Sequence, residues 1–345
     1  MQFFSNDLGI DLGTSNVLVY VDGKGVQIRE PSMVALDKNS GRLLQVGAAA
    51  QNMLGRTPGN VVAMRPLKDG VIADYEMTVK MLQHLFRSVT KSTLFSPKPR
   101  VILSVPSSIT EVEERTVINA TIEAGARRVY LIEEPLAAAI GAGLDIKGPN
   151  GHMVVDIGGG TTDIAVLTMS AVANSTSIKA AGIHMDEAII QYVRHKYELV
   201  IGQALAEDIK IQIGAVCAGY QNMSMTVRGR DAKNGTPKEV SLSTAELVPV
   251  LEIIAKQIAN EVLLMLSNTS PELLSDIATN GITLTGGASQ IWGMDQLLSA
   301  YTGINCSVAD DPASCVAYGC GKSLNWINHM TEGPINIARK RLLRR

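Results

Sequence analysis

A short loop near the start of the chain combines an aspartate with glycine and small polar residues. Asp11 is followed by Gly13, Thr14, Ser15 and Asn16, and apolar residues flank the loop on both sides, as in a tight β-hairpin. Because Gly13 has no side chain, the backbone N–H groups of this loop can approach phosphate oxygens. Asp11 would repel a phosphate and suits a hydrated Mg²⁺, which prefers carboxylate and water ligands. A plain hairpin turn is the alternative interpretation.

A second loop of the same kind lies 145 positions further on. Asp156 is followed by Gly158, Gly159, Gly160 and Thr161, again between apolar runs. Each glycine costs roughly 0.5–1 kcal/mol relative to alanine, so three in a row indicate that a ligand comes close to the backbone. Asp156 would supply a second carboxylate for Mg²⁺, and Thr161 would hydrogen-bond the γ-phosphate or the attacking water. The repetition predicts a duplicated architecture.

A third glycine-rich loop follows an apolar strand at residues 282–284 and precedes a predicted helix. Gly286, Gly287 and Ala288 leave room for the flat face of a nucleotide, and their backbone N–H groups can meet an α-phosphate. The loop is a weak signal by itself. It gains weight as the third element in order after two aspartate-led hairpins.

Two adjacent glutamates open a predicted helix. Glu133, Glu134 and Pro135 follow an apolar strand, and proline suits the first turn of a helix. One of these carboxylates could place a water in line with the γ-phosphate, a role worth about 10²–10⁴-fold in rate. The alternative is an acidic helix start that favours the helix dipole by roughly 0.3–1 kcal/mol. Local chemistry does not choose between Glu133 and Glu134.

Apolar periodicity predicts the elements that position these loops. Hairpins are predicted at 8–21 and 152–169, further strands at 26–29, 101–105, 129–132 and 282–284, and helices at 77–92, 109–125, 135–143, 186–198, 203–214, 244–266 and 313–325. Residues 32–76 and 180–247 are interpreted as insertions. The pattern predicts an α/β protein of two duplicated domains, each with a small inserted subdomain, and a ligand cleft between them.

Composition favours a soluble globular protein. The 345 residues are 46% apolar and 19% charged, which suits about two domains. Four cysteines without a CxxC pair are typical of a reducing compartment, and the five histidines show no metal-ligand spacing. No apolar run reaches the ~18 residues needed to span a bilayer, and no signal peptide precedes the first strand. We therefore expect a cytoplasmic protein.

The three loops resemble, in order, the phosphate-1, phosphate-2 and adenosine motifs of the actin/Hsp70/sugar-kinase superfamily. Residues 4–14, 66–74 and 131–143 also resemble segments of MreB proteins, the bacterial cell-shape actins, and residues 313–321 are similar to the second connecting helix of the superfamily. The likeness covers essentially the whole chain. It implies an actin-like fold, ATP or ADP with Mg²⁺ as ligands, ATP hydrolysis, and polymerisation into filaments that control cell shape.

The resemblance assigns catalytic and metal-binding roles to single residues. Glu134 matches the carboxylate that positions the attacking water, and Thr161 matches its partner. Asp11 and Asp156 match the residues around Mg²⁺, which they would hold through water.

The nucleoside side of the site is also inferred from the resemblance. The helix at 206–214 matches the family's nucleoside helix and places Glu207 and Lys210 at the ribose and adenine. Gly182 would line the adenine side, but Ala181 stands where the family usually has another glycine, so that pocket is expected to differ. An exposed helical charge is the simpler interpretation of Glu207.

The same resemblance divides the chain into four subdomains. These are IA (1–31, 78–146 and 320–345), IB (32–77), IIA (147–179 and 248–319) and IIB (180–247). Tyr318 and Cys320 are bulkier than the residues usual in the last glycine-rich helix, so closure of the hinge between the halves is expected to change.

Two further segments suggest a membrane surface as a partner. Leu94 and Phe95 lie in a Ser/Lys/Pro loop, where MreB proteins carry an apolar pair that inserts into the bilayer; a buried loop anchor is the alternative. Full burial of both would yield roughly 3–6 kcal/mol. The last seven residues hold five basic side chains that could meet anionic lipid: Arg339, Lys340, Arg341, Arg344 and Arg345. We expect the inner face of the cell membrane as the location.

Other functions of this superfamily remain as alternatives. An Hsp70-type chaperone would need a peptide-binding domain after the ATPase, and a sugar kinase would need a general-base aspartate with a sugar pocket. A plasmid-segregation actin would differ mainly in its partners. We expect self-association, an anionic membrane and membrane-embedded morphogenesis proteins as partners, and no nucleic acid.

Overall fold

The computed structural model describes residues 7–90 and 97–327, in which strands and helices alternate. The strands are β1 (Leu8–Leu12), β2 (Asn16–Val21), β3 (Gly25–Pro31), β4 (Val34–Asp37), β5 (Leu43–Val46), β6 (Val61–Met64), β7 (Leu67–Lys68), β8 (Val71–Ile72), β9 (Arg100–Val105), β10 (Arg128–Glu133), β11 (His152–Ile157), β12 (Thr162–Thr168), β13 (Ala171–Ile178), β14 (Leu199–Val200), β15 (Ser224–Asp231), β16 (Pro237–Ser243), β17 (Ile282–Thr285) and β18 (Cys306–Val308). The helices are α1 (Ala48–Gln51), α2 (Tyr75–Val89), α3 (Glu111–Glu123), α4 (Glu134–Gly141), α5 (Gly182–Tyr197), α6 (Gln203–Ile213), α7 (Thr244–Ser267), α8 (Pro271–Asn280), α9 (Met294–Thr302) and α10 (Cys315–Ile327).

Two five-stranded sheets have the same topology. The first has the order β10-β9-β1-β2-β3, and the second has the order β13-β12-β11-β17-β18. In each sheet an antiparallel meander of three strands is extended by two parallel strands. The shared topology confirms the duplicated α/β architecture that the two aspartate loops predicted.

Helices α4 and α10 pack against each other between the two sheets. Apolar side chains from both helices and from β9, β10, β11 and β12 form one buried cluster there. The helices approach so closely that a Cβ on Gly141 would overlap the backbone of Cys315, and one on Gly319 would overlap the backbone of Ala137. Glycine at these positions therefore determines how close the helices that join the two halves can lie.

Small sheets occupy the two regions that the sequence marked as insertions. Strands β5, β4 and β6 form one sheet, next to which β7 and β8 form a short hairpin. Strands β14, β15 and β16 form another, packed with α6 and α7. The exact subdomain boundaries given above stay a prediction.

The structure corrects several predicted helix ends. Helix α2 begins at Tyr75 because the Asp74 side chain accepts a hydrogen bond from the backbone N–H of Met77, and it ends at Val89 because Thr90 is extended. Helix α5 begins four residues earlier than predicted, at Gly182. The predicted helix of the third glycine loop is only a 3₁₀ turn over Gly287–Gln290.

Two helical features follow from backbone signals that the sequence analysis did not use. Helix α9 begins only at Met294, because Ile291 is extended and Gly293 has a left-handed conformation with φ 82°. Helix α8 was not predicted, although Ser270 and Pro271 are a typical helix start. Within the described residues, no helix combines the length and the apolar character that crossing a membrane requires.

Candidate functional site

The first aspartate loop is the turn between β1 and β2. A Cβ on Gly13 would lie 2.7 Å from the carbonyl oxygen of Asn16, so the turn requires glycine there. The Ser32 hydroxyl donates to the Gly13 carbonyl (2.6 Å), and the Ser32 backbone N–H donates to the Ser15 carbonyl (2.9 Å). With two of its carbonyls held in this way, the loop keeps a fixed shape at the edge of the cleft.

The second aspartate loop is the turn between β11 and β12, and it is fixed by helix α5. The N–H of Gly158 donates to the carbonyl of Thr161 (2.9 Å). The N–H groups of Gly182 and Ile183 donate to the carbonyls of Gly158 (3.1 Å) and Gly159 (2.8 Å). These bonds draw α5 onto the loop and explain why the helix begins at Gly182.

The two aspartate loops contact each other directly. A Cβ on Gly159 would overlap the Ser15 hydroxyl, and one on Gly160 would lie 2.7 Å from the Thr14 hydroxyl oxygen. The triple glycine in the sequence predicts the close approach of a ligand. The structure adds that Gly159 and Gly160 must lack side chains for the two loops to meet at all.

Buried carboxylates gather behind these loops. Asp11 is the next-to-last residue of β1, and Asp156 pairs with Asp163 across β11 and β12. Burial, together with the negative charge of Asp156, raises the pKa of Asp11 to about 7. Burial also raises the pKa of Asp156 to about 7, although the Thr285 hydroxyl donates to this carboxylate at 2.7 Å. Negative charge is therefore costly here unless a cation is present.

The two predicted metal-binding aspartates fit Mg²⁺ by the chemistry of their donors. Among residues 7–90 and 97–327, no group of three His, Cys, Asp or Glu side chains forms a metal cage. Mg²⁺ usually keeps several waters and takes one or two carboxylates plus substrate phosphates. Two carboxylates, one buried and one partly buried, beside the predicted phosphate-binding loops match that preference.

The structure separates the two adjacent glutamates. Glu134 is the first residue of α4, is 8% exposed, and lies in the wall of the cleft together with Thr161. Burial raises the pKa of Glu134 well above its usual range, and nearby Asp163, Asp11 and Asp156 add to this effect. Glu133 lies in the preceding strand, outside the cleft lining. The catalytic role of Glu134 stays a prediction.

The third glycine loop and helix α6 line the other end of the cleft. A Cβ on Gly286 would overlap the backbone of Ile157, so the loop can approach β11 only with glycine there. Glu207 and Lys210 project from α6 into the lining. The Lys210 ammonium also forms an ion pair with Asp186 (2.7 Å) and donates to the Gly182 carbonyl (2.9 Å), so it connects α6 to α5.

These groups enclose one cavity of about 670 Å³, a size typical of small-molecule sites. The residues predicted to bind nucleotide or Mg²⁺ all line it: Asp11, Gly13, Thr14, Ser15, Asn16, Glu134, Asp156, Gly158, Gly159, Gly160, Thr161, Gly182, Glu207, Lys210, Gly286, Gly287 and Ala288. Segments as distant in sequence as the two aspartate hairpins and α6 thus meet at one site.

Several lining residues were not anticipated. Arg29, Gly70, Met223 and Trp292 face the same cavity. Gly70 donates its backbone N–H to the Thr14 hydroxyl (2.8 Å), so the β7–β8 turn reaches the first loop. The sequence offered a local signal for Gly70, since Asp-Gly is a typical hairpin turn. It offered none for Arg29, Met223 or Trp292.

The three residues that depart from the family pattern have defined places in the fold. Ala181 is buried and precedes the first residue of α5. Cys320 is buried, and its thiol donates to the Ile10 carbonyl (3.6 Å). The Tyr318 ring meets Tyr20 edge to face, with 6.1 Å between ring centroids.

The residues predicted to meet the membrane are not among those described. Leu94 and Phe95 fall between residues 90 and 97, and the basic residues lie beyond residue 327: Arg339, Lys340, Arg341, Arg344 and Arg345. The membrane predictions therefore rest on the sequence.

Comparisons with known proteins agree on one family. A family model described as MreB/Mbl protein matches residues 5–332. The cell shape-determining protein Mbl of Bacillus subtilis (strain 168) is 47% identical over 322 residues, which is 93% of this chain and 96% of that relative. The cell shape-determining protein MreB of Escherichia coli (strain K12) is 47% identical over 329 residues, covering 94% and 95%.

A solved structure supports the same conclusion. MreB 5 of Spiroplasma citri bound to AMPPNP superimposes with a TM-score of 0.89 at 39% identity, covering 93% of this chain and 96% of that one. The paired aspartate loops, the shared cavity and the match over nearly the full length place this chain in the MreB/Mbl family of actin-like proteins.

Proposed function

We propose that this protein binds ATP with Mg²⁺ in the cleft, hydrolyses it, and polymerises into filaments that control cell shape. The observation that carries the proposal is the meeting of two aspartate-led hairpins and Glu134 in one cavity. The related Spiroplasma structure is bound to the ATP analogue AMPPNP, which supports a nucleotide as the ligand.

Asp11 and Asp156 would hold Mg²⁺ through water. The bound ion would neutralise charge on the phosphates and would favour the ionised form of both carboxylates, whose pKa values burial raises. Backbone N–H groups of the two loops would hold the phosphate oxygens, and the Gly286–Ala288 loop would face the nucleoside.

Glu134 and Thr161 would order the attacking water. The Glu134 carboxylate can accept one of its hydrogen bonds, and the Thr161 hydroxyl can donate or accept another. Phosphoryl transfer to water needs little covalent chemistry from the protein, because positioning and electrostatic stabilisation supply almost all of the catalysis.

Self-association follows from family membership. The curated relatives are named cell shape-determining proteins, and an actin-like ATPase acts on shape by polymerising. Closure of the cleft around ATP would orient the two halves for assembly, and hydrolysis would change that orientation.

Membrane association at the cytoplasmic face completes the proposal. Leu94, Phe95 and the basic residues after 338 would each contribute weakly in one subunit, and a filament would sum them by avidity. Binding to vesicles should therefore need anionic lipid and weaken with salt. Morphogenesis proteins in the membrane are further candidate partners.

Sedimentation of the purified chain tests the assembly step. With ATP and Mg²⁺ present, the protein should move from supernatant to pellet above a critical concentration. Unchanged sedimentation across a range of salt and Mg²⁺ concentrations would indicate a monomeric ATPase and would contradict the filament proposal.

A further inference from the structure

An ion pair links the two sheets beside the cleft. Arg29 lies in β3, an edge strand of the first sheet, and Asp311 follows β18, an edge strand of the second. The guanidinium meets both carboxylate oxygens, with Nη1–Oδ1 at 3.2 Å and Nη2–Oδ2 at 2.5 Å. Such bidentate pairs fix orientation as well as charge. The pair must break or move with the backbone when the two halves separate.

The backbone at Asp311 is held in an uncommon conformation. Its φ of 47° and ψ of 58° lie in the left-handed region, which residues other than glycine adopt rarely and which aspartate tolerates better than most. The Asp311 carbonyl accepts a hydrogen bond from the Ser314 backbone N–H (3.0 Å). The next carbonyl, that of Pro312, accepts one from Gly286 (2.9 Å). Asp311 is thus tied to the third glycine loop.

Tyr318 supports the arginine from helix α10. The Asp311 carboxylate is the main group that raises the pKa of Arg29, and the nearby Tyr318 hydroxyl adds to this effect. The Tyr318 ring packs edge to face on Tyr20, and the ring of Tyr20 lies where a Cβ on Gly321 would be. Tyr318, which departs from the family pattern, therefore lies near the ion pair and packs against Tyr20 of the first sheet.

Helix α10 also connects the ion pair to α4, the helix that begins with Glu134. Helix α10 begins at Cys315, four residues after Asp311, and the Cys315 backbone packs against Gly141 of α4 without room for a side chain. Glu134 is the first residue of α4. Because close-packed interiors transmit strain, we expect a shift at Asp311 to be passed through α10 to α4 and the cleft.

We propose that Arg29, Asp311 and Tyr318 form an interdomain clamp that holds the cleft closed and slows release of the bound nucleotide. The clamp rests on the proposed nucleotide-binding function, but its residues are distinct from those assigned to Mg²⁺ and to water. About half of each charged side chain is exposed, at 50% and 43%, so the pair is open to screening by salt.

Release kinetics test the clamp directly. The full-length chain is loaded with fluorescent ADP and Mg²⁺, and the label is chased with unlabelled ADP at low and high salt. The variants are Arg29→Gln, Asp311→Asn, the double variant and Tyr318→Phe; asparagine is used because it also tolerates a positive φ. Arg228→Gln is the matched control, since Arg228 pairs with Glu239 on an exposed sheet away from the cleft lining.

The clamp predicts release about two- to fivefold faster in Arg29→Gln and in Asp311→Asn, as expected for loss of an exposed ion pair. The double variant should be no faster than the single ones, because one interaction is lost in each case. Salt should accelerate release from the wild type and the control but not from these variants. Tyr318→Phe should lie between wild type and Arg29→Gln. Wild-type release rates in both charge variants would overturn the proposal.

Hydrogen exchange measured without nucleotide tests the clamp independently of the proposed nucleotide-binding function. Amides at 284–290, including the Gly286 N–H that donates to Pro312, should exchange faster in Arg29→Gln and Asp311→Asn than in the control. If the wild type binds no ADP, the proposed function fails, and the exchange rates alone then test whether the clamp exists. Unchanged exchange in both variants would then overturn the clamp.

Discussion

At the scale of single residues, Asp11, Glu134 and Asp156 line the cleft, and a fourth acidic residue, Asp163, pairs with Asp156 in the adjacent strand. Glu134, Asp156 and Asp163 are buried and Asp11 is partly buried. Within the described parts of the chain, none of the four forms an ion pair with lysine or arginine. Burial raises the pKa of every one of them. Such a cluster is unfavourable in a purely structural role and is expected where a divalent cation binds.

The catalytic assignment predicts a selective effect of Glu134→Ala. ATP should still bind, because the backbone N–H groups of the loops remain. Hydrolysis should fall by about 10²–10⁴-fold, because the water loses its positioning carboxylate. Phosphate release in single-turnover experiments measures the step.

Glu133→Ala is the matched control for that measurement. It removes the neighbouring carboxylate, which lies outside the cleft lining. It should leave hydrolysis near the wild-type rate. Equal rates for Glu134→Ala and wild type would refute the assignment of the water-positioning residue.

At the scale of elements, the tight crossing of α4 and α10 predicts a cost for a single methyl group. Gly319→Ala should lower the free energy of unfolding by about 1–3 kcal/mol, because its Cβ would overlap the backbone of Ala137. Gly148→Ala is the control, since no atom lies within 4 Å of its Cβ position. Chemical denaturation measures the free energy of unfolding of both variants. Equal values would mean that the two helices can move apart without loss of stability, which would contradict the prediction.

The start of helix α7 predicts a pH-dependent effect. Burial alone would raise the pKa of Glu246, but hydrogen bonds from Lys196, Tyr197 and Ser243 outweigh it and lower that pKa to about 2. A lowered folded-state pKa stabilises the protein above the unfolded value of about 4.3. That stabilisation is lost as the pH falls toward 2.

Glu246→Gln isolates the charge, because glutamine can still cap the helix. The variant should be less stable than wild type by about 1 kcal/mol at pH 7, and the difference should shrink below pH 4.5. Denaturation curves of both proteins across this range measure it. A difference that stays constant down to pH 3 would show that the charge is not its origin.

The sequence predicted elements well where patterns are local and poorly where distant contacts decide. The strands around Asp11 and Asp156 follow from apolar runs next to glycine turns. The start of α5 at Gly182 depends on hydrogen bonds to Gly158 and Gly159, which no local pattern reveals. The 3₁₀ turn after Gly286 likewise reflects the close approach of β11.

At the scale of the whole molecule, the site too was predictable where its signals are local and unpredictable where distant contacts form it. The three glycine loops were recognisable because their chemistry is concentrated in a few adjacent residues. Arg29 and Trp292 reach the cavity only through the fold, and nothing adjacent to them in sequence signals a ligand. Glu207 and Lys210 were assigned by resemblance, and the structure places both in the lining.

The central claim is that two aspartate-led hairpins hold a metal-bound triphosphate between the halves of the molecule. Calorimetric titration of the purified chain with a non-hydrolysable ATP analogue, with Mg²⁺ and then with the metal chelated, tests it most directly. We predict saturable binding at one site per chain that weakens strongly without Mg²⁺, and weakens to a similar degree in Asp11→Asn with Mg²⁺ present. Absence of binding, or binding of equal strength with and without Mg²⁺, would contradict the account.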